Sequence, residues 1–144
     1  VCVLRIGLVL APDGGFLQRM RLPFSLGLGG PLGSGRQYMP WVHHSDVEAL
    51  LQWLVERPDC RGVYNGTAPT PVTNREFSSE LGKALGRPAV LPAPAPVLKL
   101  ALGEMSRLLL TGQRALPAKA EQEGFVFRYP HLETALAQVL QKQK

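Results

Sequence analysis

At 144 residues the chain has the length of one ordinary domain, since domains most often run to roughly 100–150 residues. Apolar types at 45% and charged types at 19% give globular composition; disorder, collagen, a long coiled coil and a disulfide scaffold are excluded. The net charge of +5 is spread as +3 over residues 1–44, −1 over 45–96 and +3 over 97–144. That spread argues against the clustered Lys/Arg face of a nucleic-acid binder.

Residues 1–10, Val-Cys-Val-Leu-Arg-Ile-Gly-Leu-Val-Leu, form a near-continuous apolar run. Runs of this kind predict a strand buried on both faces, as in a parallel sheet. A domain rarely opens in the middle of a core strand, as this run does. Ala11-Pro-Asp-Gly-Gly15 supplies turn chemistry. Phe16, Leu17, Met20, Leu22 and Phe24 then suggest a short helix stopped by Pro23. Residues 27–35 hold five glycines in nine positions. Their spacing fits neither GxGxxG nor GxxxxGK[ST], so a flexible connection is preferred to a phosphate cradle.

Gln37 to His44 reads as an extended segment with Pro40 at an edge. Ser45 and Glu48 fit a capping box, and Val47, Leu50, Leu51 and Leu54 give one face of a helix ending near Arg57-Pro58. Residues 62–68 predict a short strand and turn. Thr73 and Glu76 form a second capping box; Phe77, Leu81, Ala84 and Leu85 continue that helix, and Gly86 stops it. Residues 89–91 are a short extended piece. Beyond Pro96 the chain turns helical around Gly103. A short helix from Pro117 to Gly124, a strand over 125–129 and a closing helix with Leu132, Leu136, Val139 and Leu140 complete the chain. No apolar run reaches the roughly 18 residues of a membrane helix. Alternation of strand and helix over 1–91 argues an α/β fold.

Chemistry is sparse. His43 and His44 are adjacent and point to opposite faces of a strand, and His131 is remote, so no metal site is expected. No Gly-x-Ser-x-Gly elbow surrounds Ser34. Asp46 at a helix start is explained by capping. Glu104 and Glu123 read as solvated. Cys2 and Cys60 stand in different contexts without CxxC, which predicts reduced thiols in a cytoplasmic protein. Arg36, after the glycine loop, suits phosphate or carboxylate as well as a plain surface. Trp41 either floors a pocket or fills the core. Arg5 within an apolar strand needs a partner if buried. Gly7 suggests a close backbone approach, as occurs where ligands meet strand carboxyl ends.

The run Leu4-Arg-Ile-Gly-Leu-Val-Leu10, followed by Gly27-Leu-Gly-Gly-Pro-Leu-Gly-Ser-Gly-Arg-Gln-Tyr-Met-Pro-Trp-Val-His43, resembles the second half of the extended short-chain dehydrogenase/reductases. More narrowly it is similar to the YfcH-type nucleoside-diphosphate-sugar epimerase-like proteins. Asn65, Asn74-Arg-Glu-Phe-Ser78, Gly112-Gln-Arg-Ala-Leu-Pro117 and Gly124-Phe-Val-Phe-Arg128 add to the resemblance. It implies an α/β fold: the C-terminal part of a Rossmann-like parallel sheet plus a smaller, mostly helical substrate-side domain. Late Rossmann elements would occupy residues 1–10 and 42–86, interrupted by a substrate-side segment at 11–41. Residues 87–144 would form the C-terminal substrate-side domain.

Two family hallmarks are absent. No dinucleotide fingerprint is found, and Tyr38, Tyr64 and Tyr129 are followed four positions on by Val42, Ala68 and Glu133 rather than Lys. The resemblance therefore implies no catalytic residue in this chain. It implies a parent oxidoreductase using NADP or NAD on a small polar substrate, nucleotide-sugar-like, with no cofactor bound by the 144 residues alone. Arg5, Ile6, Gly7 and Leu8 are expected on the cofactor side; Met20, Arg36, Gln37, Trp41 and His43 on the substrate side. The competing expectation is a non-catalytic binding module or homodimerising unit. Neither nucleic acid nor membrane is an expected partner.

Overall fold

In the computed structural model, residues 1–12, 15–25, 30–31, 35–86, 96 and 116–141 are described. The expected extended piece at 89–91, the helices around Gly103 and most of the glycine loop lie outside them.

The opening apolar run breaks at Gly7 into β1 (Cys2–Ile6) and β2 (Leu8–Leu10). The break follows from what enters there. Gly7 N–H donates to Gly66 O at 3.1 Å, whereas Leu8 N–H donates to Pro40 O at 2.7 Å. The run changes hydrogen-bonding partner at this point. β1 pairs in parallel with β5 (Gly62–Gly66), Leu4 opposite Tyr64. β2 pairs in parallel with β4 (Trp41–His43), Leu8 opposite Trp41. Ala68 N–H donates to Trp41 O at 2.8 Å, so β4 wedges between β2 and the chain that leaves β5. A side chain at Gly7 would run into the Pro40 carbonyl oxygen and lie 2.9 Å from Thr67 Cγ2. Glycine is needed there to let the third strand in. A small antiparallel pair joins β3 (Tyr38–Met39) to β6 (Val72–Thr73).

Helix α1 (Gly15–Ser25) runs two residues past Pro23. Proline removes its own N–H and crowds the carbonyl four residues back, but its fixed φ is helical, so the residues after it can stay helical. Helix α2 (His44–Val55) starts differently from the expected Ser45–Glu48 box. His43 is its cap, and its Nδ1 accepts from Ser45 N–H at 3.1 Å. Glu48 instead lies 3.6 Å from His44. Its buried apolar stripe is Val47, Leu50 and Leu54, while Leu51 is exposed. Helix α3 (Asn74–Leu85) has the expected start and stop. Thr73 Oγ1 accepts from Glu76 N–H at 3.2 Å, and Gly86 closes the helix with φ +70°. Ala84, expected on its core face, is exposed. Helices α4 (Ala118–Gln122) and α5 (Leu132–Gln141) follow.

Two apolar clusters flank β2 and β4. On one side Leu10 and Trp41 meet Leu17, Met20 and Phe24 of α1, Phe77 and Leu81 of α3, and Leu132, Leu136 and Val139 of α5. On the other side Val42 meets Leu50 and Leu54 of α2, Tyr64 of β5, Ala120 of α4, Phe125 and Phe127. The period-2 alternation of the strands sends successive side chains to opposite clusters.

Candidate functional site

The carboxyl ends of β1 and β5 gather the residues expected to face a cofactor. Ile6 is about half exposed, at 48%. Arg5 is exposed, so it needs no internal partner. Gly7 and Leu8 follow, and Leu8 packs against the first cluster. The close approach inferred for Gly7 is made by Pro40 and Thr67 of the chain itself.

The residues expected on the substrate side divide into two groups. Arg36 is exposed and Gln37 half-buried. They sit on the connection held to the start of α3 by Asn74 N–H to Gln37 O at 2.7 Å and Arg75 N–H to Gly35 O at 3.0 Å. Met20, Trp41 and His43 are buried to within 1%. Met20 and Trp41 share a cluster with Leu8, and Trp41 Nε1 donates to Thr70 O at 3.2 Å. The fold thus brings Leu8, Trp41 and Met20 together, with Arg36 and Gln37 on the surface.

His43 belongs to a buried polar knot that sequence reading missed. Its Nδ1 accepts from Ser45 N–H and lies 2.8 Å from Ser45 Oγ; its Nε2 lies 2.6 Å from Gln138 Oε1 on α5. An accepting Nδ1 places the proton on Nε2, which donates to Gln138. The ring stacks on Tyr129 at 4.0 Å and on His44 at 4.4 Å. Beside it, Asp46 is 2% exposed. Its two carboxylate oxygens accept from Arg128 N–H at 2.8 Å and Tyr129 N–H at 3.0 Å. Asp46 therefore does not cap α2. The strand expected over 125–129 is not formed either, because two of its backbone donors serve this carboxylate. The knot anchors the last segment of the chain to the start of α2.

Glu123 is likewise not a solvated residue. Its Oε1 accepts from Arg57 Nη2 at 3.1 Å and from Tyr64 O–H at 3.0 Å. Arg57 lies 4.2 Å over the Trp53 ring. Burial, then the Glu123 carboxylate, push the Tyr64 hydroxyl above its ordinary range. Tyr64 is thereby held as a neutral donor.

A shallow cavity of about 480 Å³ opens between the start of α3 and the start of α5. Thr70, Val72, Arg75, Glu76, His131 and Glu133 are among its lining residues. Among the described residues, no group of three or more His, Cys, Asp or Glu could hold a metal ion. No described helix is long and apolar enough to cross a membrane.

Parallel ladders, a strand break at Gly7 and helices packed on the strands make a mixed α/β fold. Comparison with known proteins gives the same answer. The chain is 45% identical over 139 residues to the mouse epimerase family protein SDR39U1, covering 96% of this chain and 47% of that protein. The chain is similar to the C-terminal part of the SDR39U1-type epimerase family proteins. A family model described as a domain of unknown function, DUF1731, matches residues 93–139. The crystal structure of human SDR39U1 with NADPH superposes with a TM-score of 0.86 at 40% identity, covering 97% of this chain and 48% of that one. A nucleoside-diphosphate sugar epimerase from Corynebacterium glutamicum superposes with a TM-score of 0.74 at 26% identity, covering 97% of this chain and 26% of that one. The chain thus spans about half the length of the curated relatives it matches. The mixed α/β fold with parallel strands is that of the C-terminal region of these Rossmann-fold epimerases.

Proposed function

We propose that the chain is the C-terminal portion of an NAD(P)-dependent, sugar-nucleotide epimerase- or reductase-like oxidoreductase, contributing the substrate pocket and part of the nicotinamide wall. The observation that carries this reading is the close match, over nearly the whole chain, to a human relative crystallised with NADPH. In this reading residues 1–10 and 42–86 are late Rossmann elements, and 11–41 and 87–144 belong to the substrate side. The open face of β1 and β5, with Val1, Val3 and Val63 exposed, supports a further layer packed there in a protein of the relatives' full length.

The site residues fit one part of the cofactor. Ile6 offers an exposed apolar side chain at a strand's carboxyl end, suited to one face of a nicotinamide ring. A bound nicotinamide would exchange hydride with a substrate carbon. Arg5, Ile6, Gly7 and Leu8 form the near wall of its ring. Arg36 binds the phosphate of a nucleotide-sugar-like substrate in bidentate fashion, and Gln37 orients its polar groups. Met20, Trp41 and His43 shape the pocket from behind by packing. The compartment in this reading is the cytoplasm.

Calorimetric titration tests the division of labour. A protein of the relatives' full length is expected to bind NADPH, and the 144-residue chain alone is expected not to bind it. Tight binding by the 144 residues overturns the proposed division; no binding by either overturns the cofactor assignment. Arg36→Ala in the longer protein is expected to raise KM for a nucleotide sugar with NADPH affinity unchanged.

A further inference from the structure

The two cysteines, 58 positions apart in the sequence, meet in the fold. Cys2 stands opposite Gly62 in the parallel ladder of β1 and β5. Cys60 lies two residues before Gly62, in the connection that leads into β5. Both cysteines are half-buried and pack on the same cluster, and Cys60 is the foremost influence on the Cys2 thiol. Cys60 Sγ also lies 3.5 Å from Leu54 O, which holds it in place at the end of α2.

We propose that Cys2 and Cys60 are a modification site, closing reversibly into an intramolecular disulfide that staples the amino end of β1 to the connection between α2 and β5. The oxidant is a small disulfide of the glutathione type. One protein thiolate attacks a sulfur of that disulfide, forming a mixed disulfide and releasing one small thiolate. The second protein thiolate attacks the protein sulfur of the mixed disulfide, forming the Cys2–Cys60 bond and releasing the other small thiolate. Two protein thiols lose two electrons, one small disulfide gains them, and the two protons end on the released thiols. Cys60 and burial raise the Cys2 thiol above its ordinary value, with Lys119 opposing them. The exchange is therefore expected to quicken as pH rises. The staple sits at the end of the ladder opposite Ile6 and Gly7.

The test equilibrates the folded, full-length protein in glutathione buffers of graded ratio. Thiols are trapped with iodoacetamide, and the unreduced digest is read by mass spectrometry. A peptide linking Cys2 to Cys60 is expected as the dominant oxidised species. Its formation should be favoured by about tenfold or more over the same chain in urea, because the fold holds the sulfurs together. The oxidised protein should melt above the reduced one, and Cys2→Ser should abolish that difference. Mixed glutathione adducts that persist on the cysteines of the folded protein, or an equilibrium no better than in urea, overturn the proposal.

Discussion

Ladders β2–β4 and β1–β5 share one stretch of chain, yet the first is covered on both faces and the second on one. Leu10 and Trp41 face the first cluster while Val42 faces the second. In β1 and β5 only the face with Cys2, Leu4 and Tyr64 is covered; Val3 and Val63 are 46% and 43% exposed. The same apolar composition therefore has different energetic weight seven residues apart. Truncating a residue of the doubly covered region should separate the two most sharply. Phe77, fully buried between α3 and the sheet, should cost about 3–5 kcal/mol as Phe77→Ala, the lost transfer energy plus a cavity. Val63→Ala on the open face should cost no more than about 0.5 kcal/mol. Urea unfolding of both variants checks this, and equal losses would erase the distinction.

The next largest effect is expected at the polar knot that ties the final segment to α2. Asp46→Ala leaves the N–H groups of Arg128 and Tyr129 without their carboxylate. Orphaning a fully buried donor costs about 1–3 kcal/mol; these two are only part-buried, so a combined loss of about 2–4 kcal/mol is expected. Hydrogen exchange should show the change at residues 125–132 before it reaches α3. A capping role alone would instead cost about 1 kcal/mol and loosen the first turn of α2.

This difference also marks what was legible in the sequence. The helix faces at Val47, Leu50 and Leu54 and at Leu132, Leu136 and Val139 follow from local periodicity, and so does the Thr73–Glu76 cap. These depend on residues a few positions apart. The strand break at Gly7, the His43 cap, the Asp46 clamp and the meeting of Cys2 with Cys60 all depend on partners from elsewhere in the chain. Asp46 is 82 residues from Arg128, and nothing local distinguishes it from an ordinary helix-start acid. Gly7 was legible as a point of close approach, but not what approaches it. Of the candidate site, surface residues such as Arg36 can be read from residue type and setting, and so can the core alternative for Trp41; that His43 lies behind the surface cannot.

At the singly covered ladder the polar partners are half-exposed, and smaller effects follow. The Arg57 and Glu123 side chains are 25% and 28% exposed. Arg57→Ala should cost about 1 kcal/mol, near the upper end for a pair open to water, with part of it from lost stacking on Trp53. A double-mutant cycle with Glu123→Gln separates the charge from the packing. A coupling near zero would assign the whole effect to Trp53.

The smallest effect is one of pH. Tyr64 has a raised folded value, from burial first and the Glu123 carboxylate second, against an ordinary value of about 10. The folded protein thus keeps this proton to higher pH than the unfolded chain does. Above about pH 10 the unfolded state binds fewer protons than the folded one, and stability falls as pH rises. Below that value the contribution of Tyr64 is fully present and does not vary with pH. A shallow loss of stability above pH 10 is therefore expected in the wild type, over and above the loss shown by Tyr64→Phe under the same conditions. The two proteins should run parallel from pH 7 to 9 and diverge only beyond it. Parallel curves up to the folded protein's own alkaline limit would mean that the Tyr64 hydroxyl ionises as freely in the fold as outside it, and that the Glu123 contact does not hold its proton.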